Sequence, residues 1–133
     1  MPDNNTALKV LVLEDEPVIS KVISRTLKSI GMETDVADNG LIAREKIDSG
    51  ADPDLFIFDI RTPVINGIQL YEYMEKKYPD LSKKVIFMTG DYLNAVTLAF
   101  LDRVKRPFIH KPFTPDQILD LIRKSLNQEL KPV

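Results

Sequence analysis

Leu55, Phe56, Ile57 and Phe58 form an unbroken apolar run that ends in a single acid, Asp59, and passes into the turn-forming stretch from Ile60 to Gly67. A strand with one wet face alternates apolar and polar residues, so a run without alternation predicts a strand buried on both faces. Such a strand needs a covering layer above and below it, which restricts the chain to a sheet packed between helices. Asp59 then stands where the strand emerges. In open parallel sheets ligands bind in the crevice at the carboxyl ends of the strands, so a lone carboxylate there is a candidate nucleophile or metal ligand. A polar stop to a buried strand explains one such acid equally well. Other strands ending in reactive groups would decide between the two.

They do end that way. Ala7 to Leu13 is a second Val/Leu-rich run and delivers Glu14, Asp15 and Glu16. Val85 to Met88 is another, ending in Thr89, Gly90 and Asp91; a short strand from Arg106 to His110 ends in Lys111, Pro112 and Phe113. Between them lie helical stretches. Pro17 suits a first turn, with Val18, Ile19, Val22, Ile23, Leu27 and Ile30 at helical spacing before Gly31. Met32 to Ala37 predicts a weak strand, and Asn39 and Gly40 open a helix through Ile47. A third helix is expected over Ile68 to Tyr78, with Leu70, Tyr71 and Met74 inward and Pro79 as its stop. A fourth is expected over residues 92–103, with Leu93, Val96, Leu98 and Leu101 among its apolar positions, and a last one after Thr114 and Pro115 carries Ile118, Leu121, Ile122 and Leu126. Strand and helix alternate five times, which predicts an α/β, doubly wound parallel sheet of five strands with five helices on its two faces. The continuous runs mark the first, third and fourth strands as inner and the second and fifth as edges.

Composition removes several functions. At 133 residues the chain has room for one domain, expected over 1–133 with a core from about 7 to 130. A net charge of -2 offers no electrostatic footprint for nucleic acid or an anionic membrane. The absence of cysteine excludes disulfides and thiolate zinc sites, and no apolar stretch reaches the length of a membrane span. The first six residues carry neither the basic nor the apolar region of a secretion signal, so a cytoplasmic location is expected.

The strand ends therefore gather Glu14, Asp15, Asp59, Thr89 and Lys111 at one edge of one sheet. Three carboxylates held together repel, and all-oxygen donors favour Mg2+ or Mn2+. Two charges from the cation and one from Lys111 balance the three acids, leaving a neutral site able to accept a phosphoryl group. Asp59 is the predicted nucleophile toward phosphorus, Glu14 and Asp15 hold the metal, Lys111 neutralises the attacking side, and Thr89 bonds the product phosphate.

On these residues the chain resembles the receiver domains of response regulators in two-component signalling, from Val10 to about Leu126. The matching positions are the acidic pair Glu14 and Asp15, Asp59, Gly67 in the loop beyond it, Thr89, and the run Lys111, Pro112, Phe113. The resemblance implies a flavodoxin-like sheet in the order 2-1-3-4-5. It implies that Asp59 accepts a phosphoryl group from a histidine kinase or histidine phosphotransfer protein, with metal held by Asp15, Asp59 and the backbone carbonyl of Arg61. It further implies a switch that couples Thr89 to Phe108, three residues before the lysine, and shifts the face formed by the fourth helix, fifth strand and fifth helix toward an output protein. The Lys111-Pro112 bond is usually cis in such domains. A phosphorylation-dependent homodimer is left open, and the domain is expected not to be a turnover enzyme.

Some positions depart from the pattern. Thr62 replaces a common Met, and Gly90 stands where a small residue usually follows the threonine. Arg61 and Asp91 occupy the positions that flank the phosphoryl group and tune its lifetime, and are expected to pair across the mouth of the site. Phe100, Leu101 and Asp102 with Arg106, Pro107 and Phe108 resemble receivers attached to hybrid histidine kinases, so a stand-alone regulator and an excised module both fit. Phe100, Phe108 and Phe113 are expected to flank the output face; His110 reads as a solvent-facing residue, and Tyr71, Tyr73 and Tyr78 as packing. Two other functions compete. A phosphohydrolase similar to the haloacid dehalogenases would want a second Asp two residues after Asp59, where Arg61 stands, and so lacks its proton donor. A pseudo-receiver that only docks partners should have lost a reactive group, and none is missing.

Overall fold

The computed structural model describes residues 7–90 and 94–130, with side chains to 126. The chain runs β1 (Lys9–Leu13), α1 (Pro17–Lys28), β2 (Glu33–Ala37), α2 (Gly40–Asp48), β3 (Leu55–Asp59), α3 (Gly67–Lys77), α4 (Pro79–Ser82), β4 (Val85–Thr89), α5 (Ala95–Val104), β5 (Phe108–His110) and α6 (Pro115–Leu130). The five strands are parallel in the order β2-β1-β3-β4-β5. Every residue of β3 and β4 is buried, whereas β2 and β5 are mostly open, as the unbroken and broken apolar runs require.

Side chains alternate across the sheet and feed two cores. On one face Leu11, Leu13, Phe56, Phe58 and Phe87 pack on Ala43 and Ile47 of α2, Leu70 and Met74 of α3, and Leu101 of α5. On the other, Val10, Val12, Ile57, Ile86 and Met88 pack on Ile23 and Leu27 of α1 and on Ile118 and Ile122 of α6. The helix starts are chemically specified. Asn39 and Asn94 accept backbone N–H groups of their own first turns, and Asn66 with Gln69 and Thr114 with Gln117 form reciprocal capping boxes.

Two expectations are corrected, the number of helices and the place of Phe100. Among the described residues there are six helices rather than five, because Pro79 opens a further turn, Pro79–Ser82, as well as following α3; Pro is as well suited to a first turn as to a stop. The inner face of α5 is Thr97, Phe100 and Leu101, while Val96 and Leu98 are 71% and 46% exposed. Phe100 accordingly belongs to the core rather than the output face. Its ring meets Phe87 at 5.2 Å and Tyr71 at 5.7 Å, both edge to face. Leu93 lies outside the described residues.

Among the tyrosines, Tyr71 is buried, and Tyr73 and Tyr78 donate to Asp48 at 2.7 Å and 2.5 Å, joining α3 to the end of α2. These hydrogen bonds hold the Asp48 carboxyl below its ordinary range. No helix among the described residues is long and apolar enough to cross a membrane.

Candidate functional site

The register of the sheet assembles the site. Leu13 is level with Phe58, Asp59 with Met88, and Thr89 with His110. Each next residue therefore emerges at the same edge: Glu14 beside Asp59, then Thr89, then Lys111, whose backbone N–H donates to the Thr89 carbonyl at 2.8 Å. Gly67 holds the loop beyond Asp59 against the strand, its N–H bonding the Ile60 carbonyl at 3.0 Å. A Cβ on Gly67 would stand 2.5 Å from the Asp59 carbonyl oxygen, so only glycine permits this approach. The Lys111-Pro112 peptide is cis, as expected.

Lys111 is the hub. Its Nζ lies 2.7 Å from Glu14 Oε1, 3.2 Å from Asp59 Oδ2 and 3.7 Å from Glu16 Oε1. The Glu14 contact is an ion pair off the axis of an ideal hydrogen bond, so Oε1 retains acceptor capacity in a side chain with no solvent exposure. The other oxygen, Oε2, accepts the Glu16 N–H at 3.0 Å. Asp59 Oδ1 faces the Arg61 N–H at 3.4 Å.

Burial raises the Glu14 carboxyl above its ordinary value, with Lys111 opposing the shift and the Asp59 charge adding to it. Asp59 is raised for the same first reason, again against the pull of Lys111. Burial works against the Lys111 ammonium too, but its close contact with the Glu14 carboxylate and the Asp59 charge outweigh burial, and its value ends above the ordinary one. Acid–base pressure thus falls on the carboxylates.

Carboxylate oxygens of Glu14, Asp15 and Asp59 lie within 4.8 Å of one another, two of these side chains buried and Asp15 open to solvent. A hard divalent cation fits this donor set: oxygen-only, excess negative charge, and one exposed ligand through which hydrated metal can enter.

Thr89 is fully buried at the end of β4. Phe108 is 40% exposed on β5 and packs edge to face on His110, ring centres 5.4 Å apart; His110 is exposed as expected. Arg61 is exposed at the mouth, and Asp91 lies outside the described residues. The residue that sequence reasoning missed is Glu16. It belongs to the same acidic run as Glu14 and Asp15, but only the position of Lys111 shows that its solvent-exposed carboxylate reaches the hub.

Residues 10–123 match the model of the response regulator receiver domain family. The chemotaxis protein CheY1 of Helicobacter pylori is 30% identical over 109 residues, which span 81% of this chain and 88% of that protein. A protein-glutamate methylesterase/protein-glutamine glutaminase of Desulfotalea psychrophila is 38% identical over 130 residues, 93% of this chain but 35% of that longer protein. Among solved structures, a CheY-like response regulator receiver domain protein from Methanospirillum hungatei superposes with a TM-score of 0.84 at 26% identity, covering 95% of this chain and 98% of that one. The order of strands, the register that gathers the acids with Lys111, and these likenesses agree: the chain belongs to the response regulator receiver domain family of two-component signalling.

Proposed function

We propose that the chain is a single receiver unit, with its core over residues 7–130, that works as a phosphoacceptor switch and not as a turnover enzyme. The observation that carries this reading is Lys111 Nζ bridging the buried Glu14 and Asp59 at 2.7 Å and 3.2 Å, beside the solvent-open carboxylate of Asp15. Asp59 Oδ attacks the phosphorus of a phosphohistidine on a histidine kinase or phosphotransfer protein. The new O–P bond forms as the P–N bond breaks, and the electron pair leaves on the imidazole nitrogen, which takes up a proton. Glu14, Asp15, Asp59 and the Arg61 carbonyl would hold Mg2+, which supplies charge neutralisation on the phosphoryl oxygens.

The chain's own residues do the rest. The Arg61 N–H orients one Asp59 oxygen and leaves the other to react. Lys111 transfers its attraction from Asp59 to the incoming phosphoryl oxygens, and the Thr89 hydroxyl donates to them. With Thr89 drawn inward, Phe108 gives up its exposed position and turns toward the space behind it. The face of α5, β5 and α6, which carries an open groove of about 590 Å³ lined by Leu98, Leu101, Phe108 and Leu121, then shifts in population and is read by an output protein or a second copy of the chain. Arg61 and Asp91 set the lifetime of the phosphoryl group. Substituting either with Ala should change the rate of autodephosphorylation.

Intact mass spectrometry after treatment with acetyl phosphate and Mg2+ tests the reading. One phosphoryl adduct is expected on the wild type and none on Asp59→Asn. A wild type that stays unlabelled under both acetyl phosphate and a phosphorylated histidine donor overturns it.

A further inference from the structure

Glu16 sits at the N-cap position of α1 with an extended backbone (φ -91°, ψ 113°), and its side chain makes no cap bond to its own helix. Glutamate is a poor residue for capping a helix in this way, so local chemistry does not explain it. Two contacts do. Its N–H fixes Glu14 Oε2 at 3.0 Å, and its carboxylate stands 3.7 Å from Lys111 Nζ with 63% of the side chain in solvent. The ammonium has three donors and meets three acids. Glu14 and Asp59 are buried; Glu16 is the partner on the open side, where any phosphodonor must arrive.

The charge balance read from three acids therefore understates the site. With Glu16 included, a divalent cation and Lys111 together still leave one negative charge. Resting on the phosphoacceptor reading above, we propose that Glu16 is a positioning residue that shares Lys111 with Asp59 and puts a negative charge at the mouth of the site, strengthening its hold on a divalent cation while opposing entry of small anionic phosphodonors. Donors delivered on a protein surface, which brings its own charges to the mouth, are correspondingly favoured over free ones.

The effect is that of one solvent-facing charge a few ångströms from Lys111, which in a water-like medium, partly screened at physiological salt, corresponds to roughly two- to threefold in an equilibrium or rate constant. Salt removes such an effect, because at 1 M the screening length is about 3 Å.

The test compares the full wild-type chain with Glu16→Gln and Glu16→Asp. Calorimetric titration with Mg2+ alone should show Glu16→Gln binding two- to threefold more weakly than wild type, with Glu16→Asp close to wild type because it keeps the charge. With Mg2+ saturating, phosphorylation of Glu16→Gln by acetyl phosphate should be two- to threefold faster, and both differences should vanish in 1 M salt. Equal Mg2+ affinity in wild type and Glu16→Gln, a difference that survives 1 M salt, or a Glu16→Asp variant that behaves like Glu16→Gln would each overturn the proposal. A wild type that binds Mg2+ but takes no phosphoryl group sinks the phosphoacceptor reading instead, while the Mg2+ titrations still decide the role of Glu16.

Discussion

Replacing Gly67 with Ala tests whether the backbone beneath Asp59 is as tightly defined as the structure has it. Gly67 is the first residue of α3, and its added Cβ would meet the Asp59 carbonyl oxygen at 2.5 Å, Ile60 Cα at 3.0 Å and the Asp59 carbonyl carbon at 3.1 Å. All three atoms are backbone at the end of a buried strand, so no side chain can swing away. Reaching even 3.0 Å from the oxygen moves α3 and the end of β3 apart by about half an ångström. Overpacking of this kind costs about 1–3 kcal/mol, and the helical gain of Ala over Gly, below about 1 kcal/mol, offsets only part. Asp59 lies 3.2 Å from Lys111 Nζ. A misplacement of 1 Å costs on the order of 100-fold in a positioned reaction, so half of that corresponds to about tenfold. Gly90→Ala is the control: its Cβ would meet only Lys111 Cβ, at an ordinary 3.8 Å. Thermal melts and the rate of phosphorylation by acetyl phosphate, followed by intact mass, read both quantities. Gly67→Ala that melts within 1 °C of wild type and labels at its rate would refute the reasoning.

Three further outcomes follow from the same geometry. Lys111→Met should destabilise by about 2–3 kcal/mol at neutral pH, because it leaves buried Glu14 and Asp59 without their counter-ion; both carboxyls are already raised by burial, so the deficit should shrink as they take up protons on acidification, and a pH-independent deficit measured by melts would contradict this. Asp59→Asn should stabilise by about 1 kcal/mol, or roughly 3–5 °C in Tm, at neutral pH. A carboxyl raised on folding makes stability fall as pH rises from its ordinary value through its raised one, so the gain belongs above that window and should fade below it, which melts at several pH values will show. Val64 has φ 71° and sits in a γ-turn closed by the Ile65 N–H to the Pro63 carbonyl at 2.9 Å, with its side chain 70% exposed; Val64→Gly should relieve backbone strain and raise stability by about 0.5–1 kcal/mol in urea melts.

The sheet and the cluster at its edge were legible because both rest on chain-wide constraints. A strand buried on both faces leaves an unbroken apolar signature, and a parallel sheet carries every strand's carboxyl end to one side. Glu14, Asp15, Asp59, Thr89 and Lys111 could therefore be grouped without knowing any side-chain direction. Glu16 could not be placed that way. Its carboxylate is open to solvent, and its direction is selected by an ammonium that arrives from the last strand. The two roles of Pro79 were likewise indistinguishable by residue type, since the same ring ends one helix and begins another turn.

The α5 segment failed for a different reason, and that reason bears on function. Ala95 to Leu101 is apolar almost all round, so helical periodicity does not choose a buried side. Packing on Tyr71 and Phe87 chooses Phe100 and Leu101, and this leaves Val96 and Leu98 exposed beside the open Phe108. A helix selected only for stability would carry polar residues there. Local patterning and global fold thus disagree at two places in this chain: the buried, mutually repelling carboxylates at the carboxyl edge, and the apolar outer surface of α5 and β5. Sequences depart from such consistency where function requires it. On the proposed reading, one departure collects the charge that would make Asp59 reactive, and the other presents the surface through which a change at Asp59 would be read by a partner.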